Sequence, residues 1–451
     1  MAAAESAGLA GDFRRSHQAR RRARSQPQFL RLRGIQALSR SPLQLRCRQT
    51  PRTDVMLLAD ATLPDGRRAD VLIADGHIAS IEEPRPRSSD PDRRDLAGAL
   101  LLPAFIDGHI HLDKTHMGAP LVPHVPGESV RERIAAERVA RHAVPLPVEA
   151  RATNLLRRLV ANGTTRVRSH VDIDNDVKLA NLEALLAVRE RWRPWVDIEI
   201  VAFPQSGVMS EPGAADLLDA ALAAGADLIG GLDPAGFDHD VPGQLDIVFA
   251  LAEKHGKGVD IHLHDGGETG GSELRDIASR TEALGLQGRV VVSHAFALGD
   301  LSPESFARTA DVLARAGVAI MTSSPAAVPV PPVKALRSHG VTLFAASDNI
   351  RDCWSPFGNG DMLDRAAIVA ARQEFYTNQD LRLALDLATL EPAKALGIAG
   401  YGLAPGAPAD LVVIDTPSVE EAVINRPPRK LVLRGGVVVA ESGVVVEALP
   451  I

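Results

Sequence analysis

Cysteine is almost absent, with two in 451 residues, Cys47 and Cys353. Neither a disulfide framework nor a cysteine-based zinc site can be built from them. The chain suits a reducing, cytoplasmic compartment, and Cys353 reads as a small buried apolar side chain. Aromatics are only 4% of the residues, so one beside a polar motif carries unusual weight. No apolar run reaches the roughly 20 residues that cross a bilayer, which argues against a membrane partner. Lysine is missing from residues 1–53, which hold twelve Arg and only two acids, Glu5 and Asp12. The chain as a whole has a formal net charge of −7, so the body is acidic. It also lacks a basic stripe interleaved with aromatics, and this argues against nucleic acid as a partner.

The basic segment RRSHQARRRARSQPQFLRLRG has the composition of an organelle transit peptide. A nucleic-acid-binding arm and an extension upstream of the natural start are the other readings. The last fits best, because Met56 opens a convincing strand at once. In each case residues 1–53 are expected to be disordered.

From Met56 onward the chain is β-rich at both ends and alternating in the middle. MLLADATLPDGRRADVLIADGHIASIE reads as hairpins punctuated by PDG and ADG, and RKLVLRGGVVVAESGVVVEAL mirrors it. The expectation is a small β-sandwich composed of residues 54–100 and 395–451 around an inserted domain at 101–394. Eight apolar runs in that domain alternate with helical patterns: 101–111, 165–172, 196–204, 228–233, 259–265, 290–295, 318–324 and 341–348. The fold class is α/β, and eight such units in roughly 290 residues fit a (β/α)8 barrel better than an open sheet. The long connection after the first strand suggests an active-site loop.

In such a barrel, chemistry sits at the C-terminal strand ends, and this chain puts polar groups there repeatedly. His109 and His111 end strand 1, His170 ends strand 2, and Gln205 follows strand 3. His262 and His264 end strand 5, His294 ends strand 6 and Asp348 ends strand 8. Alternation along a strand points His109 and His111 the same way, and likewise His262 and His264. One strand-end histidine is ordinarily a hydrogen-bonded core residue. Six of the fourteen at one rim are hard to produce by packing, because each buried imidazole needs a partner. A metal site explains them together, and nitrogen donors with a carboxylate suit one Zn²⁺ or Fe²⁺. His109, His111, His262 and Asp348 would supply three nitrogens and an oxygen, and such an ion lowers the pKa of water to about 7.

The motifs LLPAFIDGHIHLDKT, VRSHVDID, VAFPQSG, DIHLHD, VVSHA and ASDNIRDCWSPFGNGDML cover most of residues 56–440 in order. In them the chain resembles the amidohydrolase superfamily, and within it the cytosine deaminase-like branch. The resemblance implies His109, His111, His262 and Asp348 as metal ligands. It also implies His294 as the residue that hydrogen-bonds the attacking water, Gln205 as a reader of a substrate amide, and Phe203 and Trp354 as pocket walls. Many of these enzymes bridge two metals with a carboxylated Lys at the end of strand 4. Here that strand ends GGLDPA, which implies a single metal; Asp233 reads as a replacement bridge or, the better fit, as an ordinary turn or helix-capping residue. Related enzymes lead us to expect a homo-oligomer.

Two positions depart from the cytosine deaminase pattern. The Glu that shuttles protons three residues after the strand-5 ligand is here Asp265, and Glu268 lies near enough in sequence to replace it. The second Asp after the strand-8 ligand is here Asn349, an amide that donates as well as accepts. Lys114 reads either as a solvated surface residue or as a cation at the pocket mouth. His170 reads as support for the ligands or as a substrate contact.

The expected function is metal-dependent hydrolysis of a C–N bond in a heterocyclic or cyclic amide substrate. Asp348 would take the proton of water, His294 would orient the nucleophile, and Asp265 or Glu268 would protonate the leaving nitrogen. A deaminase releasing ammonia is the first form of this reading. An amidohydrolase cleaving a ring amide or a side-chain amide or amine is the second. A non-catalytic scaffold would be expected to have lost ligands, and the full set is present.

Overall fold

Near-continuous apolar runs cannot sit on a half-exposed sheet, and here both faces are covered. In the computed structural model, which describes residues 55–86, 92–124 and 127–447, the runs form eight strands. They are β1 (Phe105–Ile110), β2 (Thr164–Asp172), β3 (Asp197–Phe203), β4 (Leu228–Leu232), β5 (Gly258–Leu263), β6 (Val290–His294), β7 (Ala319–Thr322) and β8 (Leu343–Ala345). Each pairs in parallel with the next in sequence. A parallel bridge between Ile110 and Asp348 brings the last strand back to the first. The expected (β/α)8 barrel is present as a nearly closed eight-stranded sheet. The expectations for residues 1–53 lie outside the described residues.

Helices cover the outside of the barrel. Several start and stop where the sequence says they should. Asp240 caps Val241–His255 by accepting from the Gly243 amide, and Gly256 ends it with a φ of 63°. Ser302 followed by Pro303 starts Pro303–Ala316 in the same manner. The closing seam between β8 and β1 is tight. A Cβ on Gly108 would lie 2.5 Å from Cε2 of Phe344, so only glycine lets β1 pass that ring.

The terminal segments share one nine-stranded sheet. Val55–Thr62, Arg68–Ala74 and His77–Glu82 come from one end, and Leu411–Ile414, Arg429–Arg434 and Val437–Glu441 from the other. Leu100–Pro103 joins them, running antiparallel to Leu411–Ile414. The run read from sequence as one strand over 101–111 therefore divides at Ala104, half in the outer sheet and half in the barrel. Alternation explains how this short strand serves two cores. Leu101, Leu411 and Val413 face the outer core, whereas Leu100, Leu102, Val412 and Ile414 pack towards the barrel helices with Phe105 and Leu159.

One excursion matters for function. Between β1 and the helix Val148–Ala161 the chain makes a long connection containing the helix Val130–Ala140. Val130 and Ile134 of that helix pack against Phe203, Leu232 and Phe237 at the strand ends. The connection thus lies across the C-terminal mouth of the barrel.

Candidate active site

Strand geometry carries the histidines inward, as their two-residue spacing predicts. The ring of His109 lies 5.4 Å from that of His111, 4.6 Å from His262, 4.0 Å from His170 and 5.3 Å from His294. Asp348 closes the group. Its Oδ1 is 3.6 Å from His109 Nε2 and 3.5 Å from His111 Nε2, and its Oδ2 is 3.9 Å from His294 Nδ1. His294 and Asp348 have φ values of 74° and 62°. Two non-glycine residues in the left-handed region, both at strand ends and both aimed at one point, are strain of the kind that functional sites retain.

Electrostatics keep these groups ready to act as ligands. Burial holds His170, His262 and His294 well below the usual imidazole range, and burial with the nearby Lys114 brings His111 to about 3. Neutral imidazoles keep a free lone pair. Burial alone would raise Asp348, but the surrounding imidazoles outweigh it and hold its carboxyl well below the ordinary carboxylate range. His109 Nε2, His111 Nδ1, His294 Nδ1 and both nitrogens of His262 are buried without a hydrogen-bond partner. Such groups are costly unless something binds them. One donor atom each from His109, His111 and His262 lie within 4.8 Å of one another, as do donors from His109, His294 and Asp348. The donor set fits a divalent cation.

The rest of the site is a wall of buried polar groups. Lys114 is not a surface residue. It is 6% exposed, donates to Gln205 Oε1, and lies 3.1 Å from Asp172 Oδ1 and 3.4 Å from Glu137 Oε2. Its ammonium sits 5.4 Å from the Phe203 ring and 5.5 Å from that of Trp354. Glu137, from the helix across the mouth, also accepts from Trp354 Nε1 at 2.8 Å. Phe203 stacks on His262 at 4.1 Å, so it backs a candidate ligand as well as lining the mouth. Asn349 donates to Asp352 at 2.7 Å, and Asp352 also accepts from the amides of Trp354 and Ser355. That turn sets the position of Trp354. His170 is fully buried beneath His109, 3.7 Å from Asp260, which fits support of the ligands rather than a substrate contact.

The two carboxylates considered for proton transfer are engaged elsewhere. Glu268 is exposed and bonds to Arg275 and to Ser305 on the outer helix Pro303–Ala316. It leans outward because those partners lie on the barrel's exterior, away from the histidine cluster. Asp265 accepts from the Gly236 amide at 2.8 Å and shares a hydrogen bond with Glu273. A Cβ on Gly236 would meet Asp265 Oδ1 at 2.0 Å, so a larger residue there would push this carboxylate aside. Beside the cluster stands His264. Its Nδ1 is 2.9 Å from Asp233 Oδ2, and its ring stacks on His294 at 4.6 Å. Burial opposes charge on His264, but Asp233 outweighs it and raises its pKa. Sequence reasoning treats Asp233 as a turn residue and gives His264 no role. It also misses Glu137 and Asp172, although Asp172 lies within the VRSHVDID motif.

A parallel barrel with a histidine–aspartate cluster that could hold a divalent cation at its C-terminal mouth defines the class of protein. The chain belongs to the amidohydrolase family, whose model matches residues 93–446. It is 34% identical over 385 residues to N-isopropylammelide isopropyl amidohydrolase of Pseudomonas sp. (strain ADP), covering 84% of this chain and 94% of that one. Among solved structures it is similar to N-isopropylammelide isopropylaminohydrolase from Burkholderia multivorans, with a TM-score of 0.84 and 42% identity over 87% of this chain and all of that one. The 5-methylcytosine deaminase of Klebsiella pneumoniae, liganded with phosphonocytosine, gives a TM-score of 0.78 and 27% identity at the same coverage. The resemblance read from the motifs, to amidohydrolases with deaminase relatives, therefore holds. Among the described residues no helix is long and apolar enough to cross a membrane.

Proposed function

We propose that this protein hydrolyses an exocyclic C–N bond of a small nitrogen heterocycle of the hydroxylated aminotriazine type, releasing an alkylamine. The observation that carries the reading is the convergence of His109, His111, His262 and Asp348, with ring nitrogens that are buried and unpaired. Those four would hold one divalent ion, zinc or iron, which when bound supplies a Lewis acid and lowers the pKa of water to about 7. Water adds to the ring carbon, the C–N bond breaks, and a proton must pass from oxygen to the leaving nitrogen. Asp348 Oδ2 accepts the proton from water. His294, 3.9 Å from that oxygen, orients the water and steadies charge developing on the former water oxygen. His264 Nε2, with Nδ1 tied to Asp233, delivers the proton to nitrogen. Gln205, held by Lys114, reads a ring amide, and Phe203 and Trp354 flank the flat ring.

Two observations favour an alkylamine over ammonia. The N-isopropylammelide enzymes are similar to this chain over nearly their whole length. In addition, the glutamate expected of a cytosine deaminase is replaced by Asp265, which is turned towards Gly236 and Glu273. Deamination is the second reading, favoured by the likeness to 5-methylcytosine deaminase. The test is incubation of zinc- and iron-loaded protein with N-isopropylammelide, ammelide, cytosine and 5-methylcytosine, measuring isopropylamine and ammonia separately. Isopropylamine from the first substrate is the expected result. Ammonia from the others alone would favour the second reading, and no amine from any of them would refute both.

A further inference from the structure

Beneath the ligand cluster a line of buried polar residues runs through the barrel interior towards its opposite end. Ser293 on β6 pairs in register with His262 on β5. Its Oγ lies 2.8 Å from His109 Nδ1 and 2.8 Å from Asp260 Oδ1. The other oxygen of Asp260 accepts from Arg168 Nη1 at 2.9 Å, and Arg168 Nε donates to Glu199 at 2.6 Å. His109, Ser293 and Asp260 are completely buried and Arg168 nearly so. Glu199, at the far end, is the partly exposed member.

The order of donors along this line is forced. Arg168 can only donate, and the carboxylate it pairs with can only accept. The single hydroxyl proton of Ser293 therefore goes to Asp260. The hydroxyl oxygen is then an acceptor for His109, whose Nδ1 must carry the hydrogen. That leaves the lone pair on Nε2, the atom that is buried, unpaired and 3.6 Å from Asp348 Oδ1.

We infer that Ser293 and Asp260, anchored by Arg168, are positioning residues that lock His109 in the Nδ1–H tautomer and so present Nε2 to a divalent cation. The inference rests on the ligand set proposed above. Ligand histidines commonly hand their second N–H to a carboxylate or carbonyl, and losing that partner typically weakens metal binding by about 10–100-fold. Here a serine hydroxyl stands between the imidazole and the carboxylate. Asp260→Asn keeps the shape but supplies an amide that can donate to Ser293, which frees the hydroxyl to donate to His109 and moves the ring hydrogen to Nε2.

The experiment has two arms. In the first, the ring nitrogens of metal-free protein labelled with ¹⁵N-histidine are read by long-range ¹H–¹⁵N correlation, with the His109 signal identified by its loss in His109→Ala. The expected result is a hydrogen on Nδ1 in the wild type and its loss or transfer in Asp260→Asn. A hydrogen on Nε2 in the wild type would overturn the inference, whatever the metal result. In the second, Zn²⁺ affinity is measured by competition with a chromogenic chelator, and the Co²⁺ absorption spectrum is recorded. Asp260→Asn and Ser293→Ala should bind about 10–100-fold more weakly, with a shifted Co²⁺ spectrum. Wild-type affinity and spectrum in both variants would overturn the inference alone, whereas a wild type that takes up no ion would sink the ligand set itself. Should Ser293→Ala fail to fold, Asp260→Asn and the wild-type tautomer still decide.

Discussion

Replacing Lys114 with methionine tests whether the mouth of the barrel is held by buried charge. The side chain is 3% exposed, and its ammonium lies 3.1 Å from Asp172 and 3.4 Å from Glu137, both also buried. Where the carboxylates are ionised, each contact attracts with about 5 kcal/mol at an effective dielectric constant of about 20, before desolvation is counted. Methionine fills most of the volume, so the loss is electrostatic: buried Glu137 loses its cation and buried Asp172 keeps only Arg141, at 3.7 Å. Breaking a buried pair from one side typically costs about 3–5 kcal/mol. With an unfolding entropy near 2.1 cal/mol/K per residue and a folded body of roughly 390 residues, that lowers Tm by roughly 4–6 °C. The deficit should depend on pH. Burial holds Asp172 well above the usual carboxylate range even beside Lys114. A carboxyl raised on folding favours the folded state in acid, and that contribution is lost as pH rises through its folded value. Removing Lys114 raises it further, so the deficit is smallest in acid and grows towards neutral pH. Differential scanning calorimetry of both proteins at pH 5.5 and 8 is the assay. Tm values within a degree of each other at both pH values would refute the argument, because Lys114 would then not be compensating buried charge.

Three further outcomes are expected. Asp233→Asn should lower kcat by about 10²–10⁴ with little change in KM, because His264 loses the acceptor on Nδ1, whereas Glu268→Ala should leave kcat/KM within about twofold; a large effect of Glu268→Ala would reinstate it as the proton shuttle. Chelation should lower Tm, and Zn²⁺ at 100 times its Kd should restore about 2.7 kcal/mol of stability; a melting curve indifferent to both treatments would count against the ligand set. Burial and the neighbouring Asp265 push Glu273 up to about 8, so its contribution is fully present below its unfolded value near 4.5 and is lost as pH rises through about 8. Glu273→Gln should flatten that part of the stability profile, and an unchanged profile would show that the Asp265–Glu273 pair does not share a proton.

Local periodicity was enough to mark eight barrel strands and the residues that share a face on each, though not to show that the first run divides at Ala104. Eight apolar runs could only be covered strands, and the two-residue spacing of His109 and His111 put both on the inner face, whatever the distant parts of the chain did. Asp348 was legible because it ends the last such run. A chain carries such information in its covalent order. The partners of those residues came only with folding. Lys114 looked as ready for solvent as for burial until a helix more than a dozen residues downstream brought Glu137 to it. Glu268 and Asp265 sat at plausible spacings, yet other partners drew both aside, and His264 was left facing the cluster with Asp233 behind it. Ser293 meets His109 across 184 residues of chain, and no local pattern encodes that contact. It exists because barrel closure sets β1 opposite β6, and because a buried donor must end on an acceptor that only the folded interior supplies.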